Sequence, residues 1–417
     1  MELRKKVYKL LRKSERYTKT DNIYLAKSSF WINLSKIINS LGAFFVAVAF
    51  ANIIPKETYG TYKYILSMGT IFAIFTLPGI ETAIIQHIAK KGNGSLLPIV
   101  KTRLRWGILG GIASLILAGY YFINHNITLT ISFLITAPLL PLVESIGIYR
   151  QFLQGKKMFK TYSIYVIIVQ TFTSLGLIAV LFLTKNLYLI VLAYFILYII
   201  SHYIFLKKTI KKFSLCQEEE NKQIISHGKH FTLMDIISRV AKYFDKIVLW
   251  HFLGAIPLAI YSFAVVPPTK ISSVFSTINR IALPKFSNRS LKELSLNIWN
   301  KILRMFIFLI PITIIYILIA PYIFRIFFPG YLESIKYSQI FSITILLIPL
   351  NLVSTIFTSQ IKKKELYILN LTSPTFKIVL LLILVSSFGI MGAIYSIIGG
   401  EIFKFLLGTI LLKKSPK

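Results

Sequence analysis

Apolar runs of about twenty residues recur from one end of the chain to the other, interrupted by short polar connections. Each is long enough to cross a bilayer as an α-helix. Twelve are predicted, near residues 29–52, 61–85, 104–123, 129–149, 161–184, 187–206, 231–252, 258–282, 301–320, 336–358, 366–387 and 390–412. No connection is long enough to fold as a separate soluble domain. The first run is long and lacks a small-residue cleavage site, so it reads as a span rather than a cleaved signal peptide. The expected fold class is all-α and integral to the membrane, with about 12 transmembrane helices.

Composition agrees: 55% of the 417 residues are hydrophobic and mean hydropathy is +0.69, too apolar for a soluble domain of this size. The net charge of +33 would suggest nucleic acid in a soluble protein. Here the cations gather in alternate connections: Lys90, Lys91, Lys101, Arg103 and Arg105; Arg150, Lys156, Lys157 and Lys160; Lys207, Lys208, Lys211 and Lys212; Arg280, Lys285, Arg289 and Lys292; Lys362, Lys363 and Lys364. The opposite connections carry only Lys56, Lys185, Arg325 and Lys336. The positive-inside rule then places both termini in the cytoplasm of a multi-pass protein of the cytoplasmic (plasma) membrane, with no nucleic-acid partner. Residues 1–28 set Val7, Leu10 and Leu11 among Lys and Arg, as a basic amphipathic helix on the cytoplasmic leaflet or a solvated basic tail.

The longest internal connection, 207–230, is basic apart from Glu218, Glu219 and Glu220. It separates a lobe at 29–206 from a second at 231–412, leaving 413–417 as a cytoplasmic tail. The lobes echo each other: Pro55 precedes Tyr62, and Gly254 precedes Tyr261, by seven positions. Two six-helix lobes in the same orientation imply parallel repeats. The single Cys216 excludes an intramolecular disulfide.

One span breaks the apolar rule. The seventh carries Asp235, Arg239, Lys242, Asp245 and Lys246. At 100° per residue, 235, 239, 242 and 246 fall within about 60° of one another, with Asp245 to one side. Each charge near the bilayer centre costs roughly 2.5–3.5 kcal/mol against lipid, so the stripe should face water or other helices. The bland alternative is pairing within the helix, Asp235 with Arg239 and Lys242 with Asp245. Other intramembrane charges are Glu144, Lys270, Lys377, and Glu401 with Lys404, the last two expected to bind each other. The six histidines show no metal spacing.

Four stretches resemble a known family: PKETYGTY at 55–62, LPGIETA at 77–83, QGKKMF at 154–159, and DKIVLWHFLG at 245–254 running on to YSFA at 261–264. They are similar to motifs of the polysaccharide-transport (O-antigen flippase) branch of the multidrug/oligosaccharidyl-lipid/polysaccharide exporter superfamily. Ala259 stands where that family often has Gly, and Pro78 and Glu81 depart from its pattern at the end of the second helix. The resemblance implies two lobes around a central cavity and alternating access. It also implies a flippase that moves a polyprenyl-diphosphate-linked oligosaccharide across the bilayer for surface-glycan synthesis, alongside other polysaccharide-assembly proteins.

With such a cargo, Lys36, Arg239, Lys242 and Lys246 are the expected diphosphate contacts. Asn33, Asn39, Asp235, Asp245, Glu144, Lys270 and Glu401 are candidates for polar lining, gating or H+ or Na+ coupling. No catalytic residue, metal site or cofactor is expected. A multidrug exporter of the same superfamily would need an acidic cavity. An integral-membrane glycan polymerase, ligase or glycosyltransferase would need placed carboxylates outside, where the loops are short.

Overall fold

The computed structural model describes residues 22–91, 96–213, 222–275, 286, 291–360 and 362–414. The expected surface helix up to residue 21, the acidic run at 218–220, Cys216, Arg280, Lys285 and Arg289 lie outside the described residues. Helices run α1 (Asn22–Ile53), α2 (Lys56–Phe72), α3 (Ile80–Lys91), α4 (Leu97–Ile123), α5 (Ile127–Ile146), α6 (Tyr149–Gly155), α7 (Phe159–Leu183) and α8 (Leu187–Phe213). They continue as α9 (Lys222–Leu253), α10 (Ala255–Phe275), α11 (Leu291–Phe327), α12 (Ser334–Phe341), α13 (Ile343–Leu346), α14 (Leu352–Ser359) and α15 (Lys363–Lys414).

Among the described residues nine helical segments are long and apolar enough to cross a membrane, or ten with the bent pair α2 and α3. Two more come from physical features that hydropathy alone misses. The 52-residue α15 turns back at Gly389, whose φ of 57° and ψ of −132° are non-helical, making two antiparallel spans. The 32-residue α9 fails on composition, because five of its seven charges lie within twelve residues, yet it packs along its length between α2, α3 and α15. The total is about twelve, as the sequence pattern predicts.

Three spans are broken where single helices were expected. In the second, Leu77 sits in the left-handed region at φ 55° and Pro78 offers no N–H to continue the ladder. A 3-10 turn at Ala73–Thr76 ends there, and the chain bends by 48° into α3. The fourth divides at Gly147 into α5 and α6. The tenth is α12, α13, a 3-10 turn at Ile348–Asn351 containing Pro349, and α14.

Helices of the first half pack on one another, α1 on α7, α4 on α5 and α5 on α8. In the second half α9 packs on α15 and α11 on α12. The two halves share one core at the cation-poor end, where Phe50, Tyr59 and Tyr62 join Tyr261, Phe263, Phe324, Phe328 and Tyr331. At the basic end each half has its own core, around Ile84, Tyr149 and Phe152 in the first, and Phe286, Ile298 and Phe357 in the second. Ile224 and Phe231 of α9 join the first of these from across the divide.

Candidate functional site

The seam between the halves is closed along α2 and α3 by two close backbone approaches. Gly60 lies so near α10 that a Cβ there would come within 1.9 Å of the Ala255 carbonyl oxygen. A Cβ on Gly79 would meet the Gly228 carbonyl oxygen at 2.3 Å, and the Gly79 N–H donates to Thr232 Oγ1 at 2.9 Å. Two of the recognised motifs thus supply glycine at inter-lobe contacts. At the cation-poor end Tyr59 stacks on Phe263 with centroids 4.5 Å apart, Tyr64 stacks on Trp250 at 4.6 Å, and Phe44 meets Phe327 edge-on at 5.1 Å. Lys56 pairs with Glu333 at 2.7 Å on the surface above them.

Beneath this aromatic plug, lysines on three helices lie within electrostatic reach of one another. Lys63 of α2 and Lys246 of α9 each lie seven residues, about 10 Å, from their helix ends at the cation-poor side. Lys63 feels the charges of both Lys246 and Lys270. No carboxylate lies within 4.0 Å of any of the three among the described residues. Aromatic faces border them: Lys63 lies 5.1 Å over Tyr59, and Lys246 5.3 Å over Tyr243. Lys63 was not among the residues expected from the sequence. Its signal is a cation immediately after the motif at 55–62, two residues into the predicted second span.

A second, mixed layer lies deeper. Glu144 of α5 is within electrostatic reach of Arg103, Glu81, Arg150 and, from the other half, Arg239. Arg103, placed by sequence in a basic connection, is instead inside α4 and fully buried. Its Nε donates to the Thr76 carbonyl at 3.1 Å, one of the acceptors released by the break at Pro78, and its guanidinium pairs with Glu81 at 3.4 Å. Gln151 Nε2 donates to the other Glu81 oxygen at 2.9 Å. The two departures from the family pattern, Pro78 and Glu81, are therefore one device: the first opens the helix and the second holds the arginine that satisfies it.

The stripe on the seventh span does not stay together. Arg239 and Lys246, on one edge, face the first half. Lys242, on the edge next to Ser238 and Ala241, lines a cavity of about 270 Å³ inside the second half with Glu401. Asp245 is buried and accepts a hydrogen bond from the Tyr261 hydroxyl, 16 residues on, so the recognised Asp and Tyr form one fastening between α9 and α10. Asp235 is exposed. Neither within-helix pair forms: Asp235 with Arg239 and Lys242 with Asp245 both lie beyond ion-pair distance. Nor do Glu401 and Lys404 bind each other; Asn351 bridges them, accepting from Lys404 Nζ at 2.8 Å and donating to Glu401 at 3.3 Å. On α1, Lys36 and Asn33 are exposed, and the half-buried Asn39 has an unpartnered Oδ1. No group of three or more metal-ligating side chains occurs among the described residues.

Comparison with known proteins fits this arrangement. The chain is 24% identical to an uncharacterized membrane protein of Methanocaldococcus jannaschii, covering 92% of this chain and 83% of that one. It is 31% identical over 108 residues to a putative O-antigen transporter of Shigella flexneri, 26% of each chain. The fold is similar to that of the lipid II flippase MurJ in an inward closed conformation, with a TM-score of 0.71 at 15% identity over 94% of this chain and 88% of that one. Residues 25–290, well over half of the chain, match the polysaccharide biosynthesis protein family, and to that family of membrane transporters the chain belongs.

Proposed function

We propose that this protein is a flippase that moves a polyprenyl-diphosphate-linked oligosaccharide across the cytoplasmic membrane by alternating access. The observation that carries the reading is the trio of Lys63, Lys246 and Lys270, unpaired by carboxylates and contributed by both halves. A diphosphate is the anion such a space suits, because each ammonium offers it charge-assisted hydrogen bonds and a site between the halves lets the anion bias their relative motion. Arg239 and Lys36 extend the cationic lining toward the basic end, which the positive-inside rule makes cytoplasmic along with both termini. The first span is thinly packed, 17% of its central window being buried against 56% in the fourth. A sugar head group entering beside it would leave its polyprenyl tail in lipid.

The lining disfavours a multidrug exporter for cationic compounds, which would meet these lysines as like charges. H+ or Na+ coupling through Asp235, Glu144 or Glu401, and partnership with other polysaccharide-assembly proteins, remain parts of the proposal.

Binding to the purified protein in nanodiscs tests the reading. Polyprenyl diphosphate should bind more tightly than the monophosphate, and the free polyprenol should bind weakest. Lys63→Gln and Lys246→Gln should each weaken the diphosphate about tenfold, the loss of roughly 1.4 kcal/mol expected for one charge-assisted contact. Equal binding of diphosphate and polyprenol would contradict the proposal.

A further inference from the structure

The cavity inside the second half belongs to neither layer described between the lobes, and its chemistry is distinct. It is a cleft lined by α9 and the two arms of α15, with Lys242, Lys377, Lys404 and Glu401 among its walls. Three ammonium groups against one carboxylate leave a formal charge of +2. Lys242 is exposed at its mouth while Lys377, Lys404 and Glu401 are half-buried, so an anion entering it meets a net positive wall that is only partly screened by water.

The helix geometry is arranged to bring these cations in. Gly400 faces Lys377, and a Cβ there would come within 3.2 Å of the lysine's own Cβ, so glycine makes room for that side chain. Pro374 lacks an N–H and leaves the Asn370 carbonyl without its helical donor; Ser238 of α9 supplies one at 3.3 Å. Lys377 Nζ donates to the Ala241 carbonyl at 2.9 Å and Lys404 Nζ to Asn351 at 2.8 Å. Each ammonium carries three donors, so both keep donors to spare. Lys242 makes only a ring contact, 5.4 Å from the Tyr243 centroid. A separate observation points the same way. Ser373 also lines the cavity, is 5% exposed, and its buried hydroxyl has no hydrogen-bond partner. Surplus donors around a roomy space are the complement of an oxyanion, and a cavity of about 270 Å³ accommodates a phosphate with several waters at about 30 Å³ each.

We propose that this cavity is an oxyanion site of the phosphate type, held by Lys242, Lys377, Lys404 and the Ser373 hydroxyl. It is separate from the inter-lobe lysines, and an anion seated in it ties the seventh span to the last two. The ligand is either inorganic phosphate or the phosphate of a lipid.

Isothermal titration of the full chain in detergent tests this with potassium phosphate and with farnesyl phosphate, against potassium chloride at matched ionic strength. Phosphate should bind, and binding should weaken at least tenfold in Lys377→Met and severalfold in Ser373→Ala. Any binding at the inter-lobe lysines is told apart as a component that Lys377→Met and Ser373→Ala leave unchanged. The same pattern with farnesyl phosphate alone would support the site and assign it to lipid. Absence of binding by either ligand, binding indifferent to both cavity variants, or binding of sodium in preference to phosphate would overturn it. Should Lys377→Met fail to fold, Ser373→Ala, which removes only an unpartnered oxygen, carries the test. Because Lys63 and Lys246 are not part of this cavity, failure of the flippase reading would leave the phosphate result standing.

Discussion

A carboxylate inside a membrane protein is held by whatever donates to it, and for Asp245 that donor is the Tyr261 hydroxyl. The other carboxylate oxygen is buried without a partner, so little stands between this group and a fully unsatisfied charge. Tyr261→Phe should cost about 1–3 kcal/mol, the usual penalty for stranding a buried polar group, and lower the melting temperature of the purified protein in detergent. Asp245→Asn should melt near wild type, since the neutral amide is cheaper to bury. An unchanged melt for Tyr261→Phe would contradict the assignment. At this scale the sequence disclosed that charges sit inside the membrane but not where each one points. Arg239, Lys242 and Asp245 share a short stretch of one helix and face three different surroundings. Spacing gives the angle between side chains, whereas the neighbour each one meets is set by packing. Lys63 escaped notice because a cation near the start of a span reads as topology, and only Lys246 and Lys270 opposite give it another meaning.

At the scale of elements, span number and position were legible because hydropathy and loop charge report them directly. The turn at Gly389 falls in the predicted gap between 387 and 390. The breaks were less so. Pro78 was visible in the sequence, but the arginine that makes the break affordable comes from another helix, 27 residues away from the Thr76 carbonyl it satisfies. Glycine at 60 is likewise explained only by what lies opposite. Adding a methyl there forces α2 and α10 apart, at a cost of about 1–3 kcal/mol for overpacking. If the halves separate at this end during transport, Gly60→Ala should favour the separated state. Labelling of Ser262→Cys, a buried position on α10, by a membrane-impermeant maleimide should then speed up several-fold in a Cys216→Ser background. An unchanged rate in folded protein would show that this contact does not part.

For the whole molecule, the longest loop and the echo of Pro55–Tyr62 in Gly254–Tyr261 point to two halves, while the state of the seam between them is not legible in the sequence. The halves meet through a shared aromatic core at the cation-poor end and through the close approach of α3 and α9 toward the basic end. Exposing a cargo at the cation-poor end requires those rings to part, and binding energy that differs between the two states must drive it. Lys63 and Lys246 lie about 10 Å below those rings, on α2 of the first half and α9 of the second.

The most direct test is leaflet exchange in proteoliposomes carrying a fluorescent polyprenyl-diphosphate oligosaccharide, read with an impermeant quencher. The wild type should expose the internal fraction, and Lys63→Gln with Lys246→Gln should abolish exchange while the protein remains folded. Exchange by the double variant at the wild-type rate would contradict the assignment of the cationic space to the diphosphate, and no exchange by the wild type under any ion gradient would contradict the flippase itself.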